Sequence, residues 1–140
     1  MYEYSRPVYY YETDKMGVVH HSNYIRWLEE ARTYFFNAAD LSYVETESFG
    51  IMCPVTDLNI KYKYSARFGD VFTVRLKLIK YTGVRFRISY SLVNQDDVVL
   101  LEGESGHAFI DSSHKPVSFA RAIPHRHVMM NELLSKHLST

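Results

Sequence analysis

A single cysteine, Cys53, leaves this 140-residue chain without a partner for an internal disulfide. Charge of one sign is missing too: 16 Lys and Arg balance 16 Asp and Glu, so the formal net charge is zero. With no global basic field, nucleic acid and anionic membrane surfaces drop out as expected partners. No uninterrupted apolar run approaches the roughly 18 residues that a membrane span requires. The opening MYEYSRPVYY lacks the basic and apolar regions of a secretory leader. Internal repeats, low-complexity tracts and long linkers are absent as well. These absences predict a cytoplasmic protein of one domain, 1–140, long enough to bury roughly two thirds of the surface its unfolded form exposes.

Aromatic residues are plentiful instead, with twelve Tyr and eight Phe, which suits a sheet-rich domain. The spacing predicts a short strand over 7–11, with Pro7 at the first position, where a missing N–H does no harm. A helix is predicted from an N-cap at Ser22 to about Ala38. Tyr24, Ile25, Leu28, Ala31, Phe35 and Ala38 recur there at helical spacing, and Arg26, Glu29, Glu30 and Thr33 take the other side. Later segments alternate with period 2: Leu58, Ile60, Tyr62 and Tyr64; Phe72, Val74, Leu76 and Leu78; Phe86, Ile88, Tyr90 and Leu92. These read as half-buried strands, and the turn chemistry at Phe68-Gly69-Asp70, Tyr81-Thr82-Gly83 and 94–97 predicts an antiparallel meander. A fifth strand is expected over 98–110, with Gly103 and Gly106 marking a bulge or bend. Pro124 opens a terminal helix carrying Val128, Met129, Leu133, Leu134 and Leu138. One apolar helix face and one apolar sheet face are natural partners, giving an α+β fold in which a curved antiparallel sheet wraps around a central helix. The unpaired strand edges predict at least a dimer.

The stretch YYYETDKMGVVHHSNYIRWLEEARTYFF concentrates polar chemistry just ahead of that helix. Asp14 follows Tyr10 by four residues and precedes His21 by seven, and Gly17 lets the chain turn tightly or admit a ligand against the backbone. The helix start adds free N–H donors and a positive dipole end, suited to a carbonyl oxygen that becomes anionic. A carboxylate beside an oxyanion donor equips a site for acyl transfer. An Asp before a helix also simply favours the dipole, and a glycine there also simply turns the chain, so both readings stand at this level. A zinc site is not expected, because two adjacent histidines point apart and no Cys or further His lies nearby at ligand spacing.

At these residues the sequence resembles a known family. Tyr10-Tyr11-Glu12-Thr13-Asp14, Gly17-Val18-Val19, His21-Ser22-Asn23-Tyr24 and Glu29-Glu30-Ala31-Arg32 look like the signature of hot-dog-fold thioesterases related to 4-hydroxybenzoyl-CoA thioesterase. The nearest likeness is to the acyl-CoA thioesterase branch associated with the Tol-Pal system. Ala66-Arg67-Phe68-Gly69-Asp70 extends the match, which covers nearly the whole chain up to about Pro124. The resemblance implies hydrolysis of acyl-CoA to free acid and coenzyme A, with no cofactor and no metal, by a homodimer or homotetramer. It implies Asp14 as the catalytic carboxylate, nucleophile or general base, with Tyr10 and His21 as active-site partners. The backbone N–H near His21 is the implied carbonyl-polarising donor. Gly17, Val18, Ser22, Asn23 and Arg67 are the candidate substrate contacts. His20 stands where relatives often have tyrosine, and Glu12 where an aspartate is frequent; neither departure touches the inferred chemistry, and either bears on which acyl group fits.

Other polar residues carry two readings each. Arg75, Lys77, Arg85 and Arg87 are placed either to meet coenzyme A phosphates or, the reading preferred here, to form a solvated or subunit-facing sheet surface. His125, Arg126 and His127 read as the surface of a first helical turn, Cys53 as a small buried residue without an activating neighbour, and Arg67 with Asp70 as a turn. The functional alternatives are an acyl-carrier-protein thioesterase, a hot-dog dehydratase using a His and carboxylate pair, and an acyl-binding module without turnover.

Overall fold

The computed structural model describes residues 1–139. Its elements run β1 (Tyr2–Pro7), a 3-10 turn (Tyr10–Glu12), α1 (Ser22–Ala38), α2 (Tyr43–Ser48), β2 (Val55–Tyr62), β3 (Val71–Tyr81), β4 (Arg85–Val93), β5 (Val99–Ala108), α3 (Phe119–Ala122) and α4 (Pro124–Leu138). The five strands form one sheet in the order β1-β3-β4-β5-β2, with every neighbouring pair antiparallel. The sheet curves over α1, as its helical periodicity and the strand alternation together require.

On α1 the buried side chains are Asn23, Tyr24, Trp27, Leu28, Ala31, Arg32, Phe35 and Phe36. Trp27 stacks on Phe72 of β3 at 3.9 Å between ring centroids, and Leu76, Leu78, Ile88 and Leu92 complete that wall of the core. Ile25 and Ala38, expected in the buried stripe, are exposed. Their places are taken by Trp27, Arg32 and Phe36, which lie on the same helical face. In β3 and β4 the alternation holds as expected, with Phe72, Val74, Leu76, Leu78, Phe86, Ile88, Tyr90 and Leu92 all buried.

Four expectations are corrected. The first strand lies over Tyr2–Pro7 rather than 7–11, and the three tyrosines that follow enter a 3-10 turn. Burial of the Glu12 carboxylate, which accepts from the Tyr9 N–H at 2.9 Å, curls the chain there. The meander covers only β3, β4 and β5, because β2 pairs with β5 at the far edge of the sheet. The segment after β2 docks on α1, where the Ala66 N–H donates to the Tyr24 hydroxyl at 2.8 Å, instead of turning back as a hairpin. As an edge strand β2 is not half-buried: Leu58 is 38% and Tyr62 51% exposed. Finally, the irregularity near Gly106 belongs to β2, where the register shifts between Val55 and Asp57. Gly103 is required by crowding, since a Cβ there would lie 2.5 Å from the Asn59 carbonyl.

Pro124 opens α4 as expected. Met129, Leu133 and Leu134 pack against the core while Val128 and Leu138 stay exposed. Arg126 departs from the surface reading: it is buried and donates to Thr46 Oγ1 at 2.7 Å and Glu45 Oε2 at 2.6 Å, tying α4 to α2. Cys53 is mostly enclosed, and burial pushes its thiol up to about 12, consistent with an inert residue. Arg75 pairs with Glu3 and Asp97, and Arg87 with Asp57 and Glu104, so the polar sheet face is an ion-paired surface.

A polar relay crosses the interior. Arg32 donates to the Tyr90 hydroxyl at 3.0 Å, which meets Ser105 Oγ at 2.5 Å, which in turn meets His107 Nε2 at 2.7 Å. Burial, then the Arg32 charge, push His107 down to about 4. On α4, His137 Nδ1 accepts the Leu78 N–H at 2.9 Å, and burial pushes this ring down to about 4 as well. Both rings therefore stay neutral in the folded chain below the unfolded value near 6.5. Between about pH 6.5 and 4 the unfolded chain binds more protons, so stability is expected to rise with pH across that window and to fall on acidification, by up to two protons' worth of slope. Urea melts at stepped pH check this; a stability independent of pH between 6.5 and 4 would contradict the buried, neutral histidines.

Candidate active site

The segment before α1 is shaped residue by residue. Gly17, at φ +75°, donates its N–H to the Asp14 carbonyl at 3.1 Å, closing a turn that a side chain at that φ would strain. Asp14 N–H donates to the Val18 carbonyl at 2.8 Å, and Thr13 bridges Val19. The loop is sewn on its far side to the segment after β2. Val18 bridges Arg67, Phe68 N–H donates to the Gly17 carbonyl at 2.9 Å, and Val19 N–H donates to the Ala66 carbonyl at 2.9 Å. On its near side the Glu12 carbonyl accepts from the His20 N–H and from Asn23 Nδ2, both at 3.0 Å.

This frame sets the Asp14 carboxylate. Its Oδ1 accepts from the Met16 N–H at 2.8 Å and the Val18 N–H at 3.1 Å, while Oδ2 makes no hydrogen bond among the described residues. One oxygen is thus fixed by the loop and the other is free to take a proton or to meet a carbonyl carbon.

The helix start differs from the expected cap. His21 is the N-cap residue and Ser22 the first helical residue, because His20 Nδ1 accepts from both the Ser22 N–H at 3.2 Å and the Ser22 hydroxyl at 2.8 Å. A backbone N–H can only donate, so Nδ1 is the accepting atom of that pair. The N–H groups of Asn23 and Tyr24 are taken by the His20 and His21 carbonyls. Among the described residues the His21 N–H has no partner, at the positive end of a 17-residue helix.

Asp14, His20 and His21 line one open cleft of about 430 Å³, whose other walls include Tyr24, Tyr62 and Tyr64. The two histidine rings stack at 4.5 Å between centroids. Asp14 and His21, the central pair of the sequence reading, are therefore brought together. Tyr10, Gly17, Val18, Ser22, Asn23 and Arg67 do not line this cleft. Tyr10 is exposed, with its ring edge-on to Phe68 at 5.4 Å. Gly17, Val18 and Arg67 build the backbone clamp. Asn23 is buried with its amide on the Glu12 carbonyl. Arg67 N–H donates to Asp70 Oδ2 at 2.9 Å in the expected turn, leaving the guanidinium without a partner among the described residues.

The cleft also holds residues that the sequence reading assigned only to a strand. Tyr62, Lys63 and Tyr64 line it, together with Ser65, which that reading left unassigned. Their aromatic and cationic alternation was visible, but its position beside α1 depends on the chain leaving β2 at the sheet edge. Among the described residues no cluster of three or more His, Cys, Asp or Glu is placed to hold a metal ion, and no helix is long and apolar enough to cross a membrane.

The Tyr24 hydroxyl is the acceptor that holds the Ala66 N–H, so Tyr24→Phe keeps the ring and strands a buried donor. A loss of about 1 to 3 kcal/mol in denaturant unfolding is expected; unchanged stability would remove this bond from the support of the cleft.

With this geometry in place, comparison with known proteins is informative. Residues 8–131 match the thioesterase-like superfamily. The chain is 34% identical over 121 residues to YneP of Bacillus subtilis, named as an acyl-CoA thioesterase, covering 86% of this chain and 88% of that protein. It is 27% identical over 97 residues to the Escherichia coli acyl-CoA thioester hydrolase YbgC, covering 69% and 72%. Among solved structures, the DHNA-CoA thioesterase of Staphylococcus aureus superposes with a TM-score of 0.89 at 31% identity over 95% of this chain and 90% of that one.

Proposed function

The chain belongs to the thioesterase-like superfamily, and from that membership and the cleft we propose that it is an acyl-CoA thioesterase in which Asp14 is the reacting carboxylate. The observation that supports the reading is the half-engaged Asp14, with one oxygen tied to the loop and the other without a hydrogen bond among the described residues, in a cleft also lined by His21, whose N–H has no partner among those residues. A thioester carbonyl oxygen placed on that N–H gains a donor aimed at developing negative charge and reinforced by the helix dipole. Asp14 Oδ2 then takes a proton from water as the water adds to the carbonyl carbon, or itself adds to that carbon. On either route the C–S bond breaks and coenzyme A leaves as a thiolate: on the first it takes up the proton held by Asp14, and on the second a water supplies that proton and its hydroxide splits the acyl–Asp14 anhydride into free acid and carboxylate.

The whole chain, 1–140, acts as one such unit in this proposal. His21 contributes mainly through its backbone, and Tyr10, Gly17, Val18, Ser22 and Asn23 shape the approach to the cleft. Arg67, with a free guanidinium, suits the coenzyme A phosphates. The exposed β2 edge forms part of the cleft wall, and its pairing with a second copy in a homodimer, itself able to pair into a tetramer, would remove an unpaired apolar edge. The finer placement in the Tol-Pal-associated branch belongs to the same proposal. Relatives named for acyl-CoA and for DHNA-CoA support coenzyme A esters as the substrate class and set the acyl groups to be tried.

Asp14→Asn keeps an oxygen to accept from Met16 and Val18 while removing the charge, so the loop should survive. We expect kcat to fall on the order of 100-fold or more with KM within a few-fold, in a thiol-trapping assay over short, long and aromatic acyl-CoAs. His21→Ala, which retains the backbone donor, and Tyr10→Phe should cost less. If Asp14 merely favours the dipole, the variant should lose about 0.3 to 1 kcal/mol of stability and keep its activity. A folded Asn variant with near-normal kcat would end the assignment. Rapid cleavage of carrier-protein thioesters alone would shift the substrate class.

Light scattering at micromolar concentration tests the assembly. A dimer or tetramer is expected, and a stable monomer would sink the paired-edge model.

A further inference from the structure

Glu12 is an acidic residue with only 4% of its surface exposed, two positions before Asp14. Its Oε1 accepts from Arg6 Nη1 and the Tyr9 N–H, both at 2.9 Å. Its Oε2 accepts from Arg6 Nη2 at 2.8 Å and Trp27 Nε1 at 2.7 Å. Four donors from three places, β1, the residue before the 3-10 turn and α1, therefore converge on one carboxylate. Arg6 is shared with Glu30, at 2.8 and 3.0 Å, which also accepts from the Tyr4 hydroxyl at 2.7 Å. Burial pushes the Glu12 carboxyl up, but the Arg6 and Trp27 bonds outweigh it and hold it below the usual carboxylate range.

The backbone of the same residue faces the other way. Its carbonyl accepts from the His20 N–H and from the Asn23 amide. One of these donors precedes the N-cap His21 and the other lies in the first turn of α1. Glu12 thus clamps the loop that carries the free carboxylate oxygen to the helix start that carries the free N–H. The bonds to 66–68 fix the outer side of the loop, and Glu12 fixes its inner side.

We propose that Glu12 is the positioning residue for Asp14, setting the distance and angle between the reacting carboxylate and the His21 N–H. The inference rests on the reading of Asp14 as the reacting group. A buried residue that only stabilised the fold would lower the fraction folded and leave the folded enzyme's rate alone. A positioning residue changes kcat in the folded enzyme, because misplacement of about 1 Å costs up to roughly 100-fold in rate.

Glu12→Gln is nearly isosteric and offers Arg6 and Trp27 one acceptor in place of two. In the full-length protein, at a temperature where circular dichroism shows the variant folded, kcat is expected to fall about 10-fold with KM within about twofold. Glu12→Asp keeps the charge but is one methylene short, and should recover part of that rate, leaving a loss of about two- to fivefold. If the Gln variant fails to fold, the Asp variant carries the test with an expected loss of about two- to fivefold. The deciding measurement is a double-variant cycle with Asp14→Asn. If Glu12 acts through Asp14, the second substitution should change the residual kcat of Asp14→Asn by less than about twofold. A further loss equal to that in the wild-type background, or a folded Glu12 variant with unchanged kcat, overturns the proposal. The Asp14→Asn single variant separates the two levels: if it stays active, the function reading itself fails, whereas an inactive Asp14→Asn beside a fully active Glu12→Gln removes only the positioning role.

Discussion

A carboxylate taken out of water must be met by donors, or it costs several kcal/mol. Glu12 meets that demand with the Arg6 guanidinium, the Trp27 indole and a backbone N–H. Because those donors come from different elements, satisfying one side chain fixes where β1, the turn after it and α1 stand relative to each other. Arg6 completes the arrangement by also holding Glu30, and its guanidinium lies 4.1 Å from the centre of the Tyr9 ring. The same Trp27 that donates to Glu12 stacks on Phe72, so the polar anchor and the apolar core meet in one side chain.

The cleft follows from that anchor and from the path of the chain after β2. Placing β2 beside β5 puts its end across the sheet from β3, and the connection must pass over the start of α1. There it supplies the Ala66 carbonyl to Val19 and takes the Tyr24 hydroxyl for its own N–H. The Asp14 loop is held between this connection and Glu12. An exposed loop is thereby given a defined geometry, although it contributes little to the core itself.

The two buried histidines illustrate a different use of polar groups. His107 ends a relay of hydroxyls that starts at a buried arginine, and His137 caps a backbone N–H at the irregular point of β3. Both are tolerated because they stay neutral. The sequence offered no sign of either role: the relay to His107 begins at Arg32, far off in the chain, and the partner of His137, Leu78, is 59 positions away.

Period decides what a sequence reveals about this protein. Alternation in β3 and β4 reports burial directly, since each residue's face follows from its index, and the 3.6-residue stripe of α1 does so at every expected position except Ile25 and Ala38. The signature from Tyr10 to Arg32 carried the central pair, Asp14 and His21, because a turn glycine and a helix start are local features. The first strand was displaced because the aromatic run after Pro7 looks extended until the Glu12 carboxylate is seen to fold it back. Arg126 passed for surface because its partners, Glu45 and Thr46, are some 80 positions away in sequence. Sequence alone determined the types of the longer elements, most of the buried faces of α1, β3 and β4 and the position of the Asp14 loop ahead of α1, while α2 and α3 went unforeseen. Tertiary structure alone decided the strand order, the walls of the cleft and the burial of Glu12, because each depends on which donor or edge of another element a group meets, and no local period encodes that meeting.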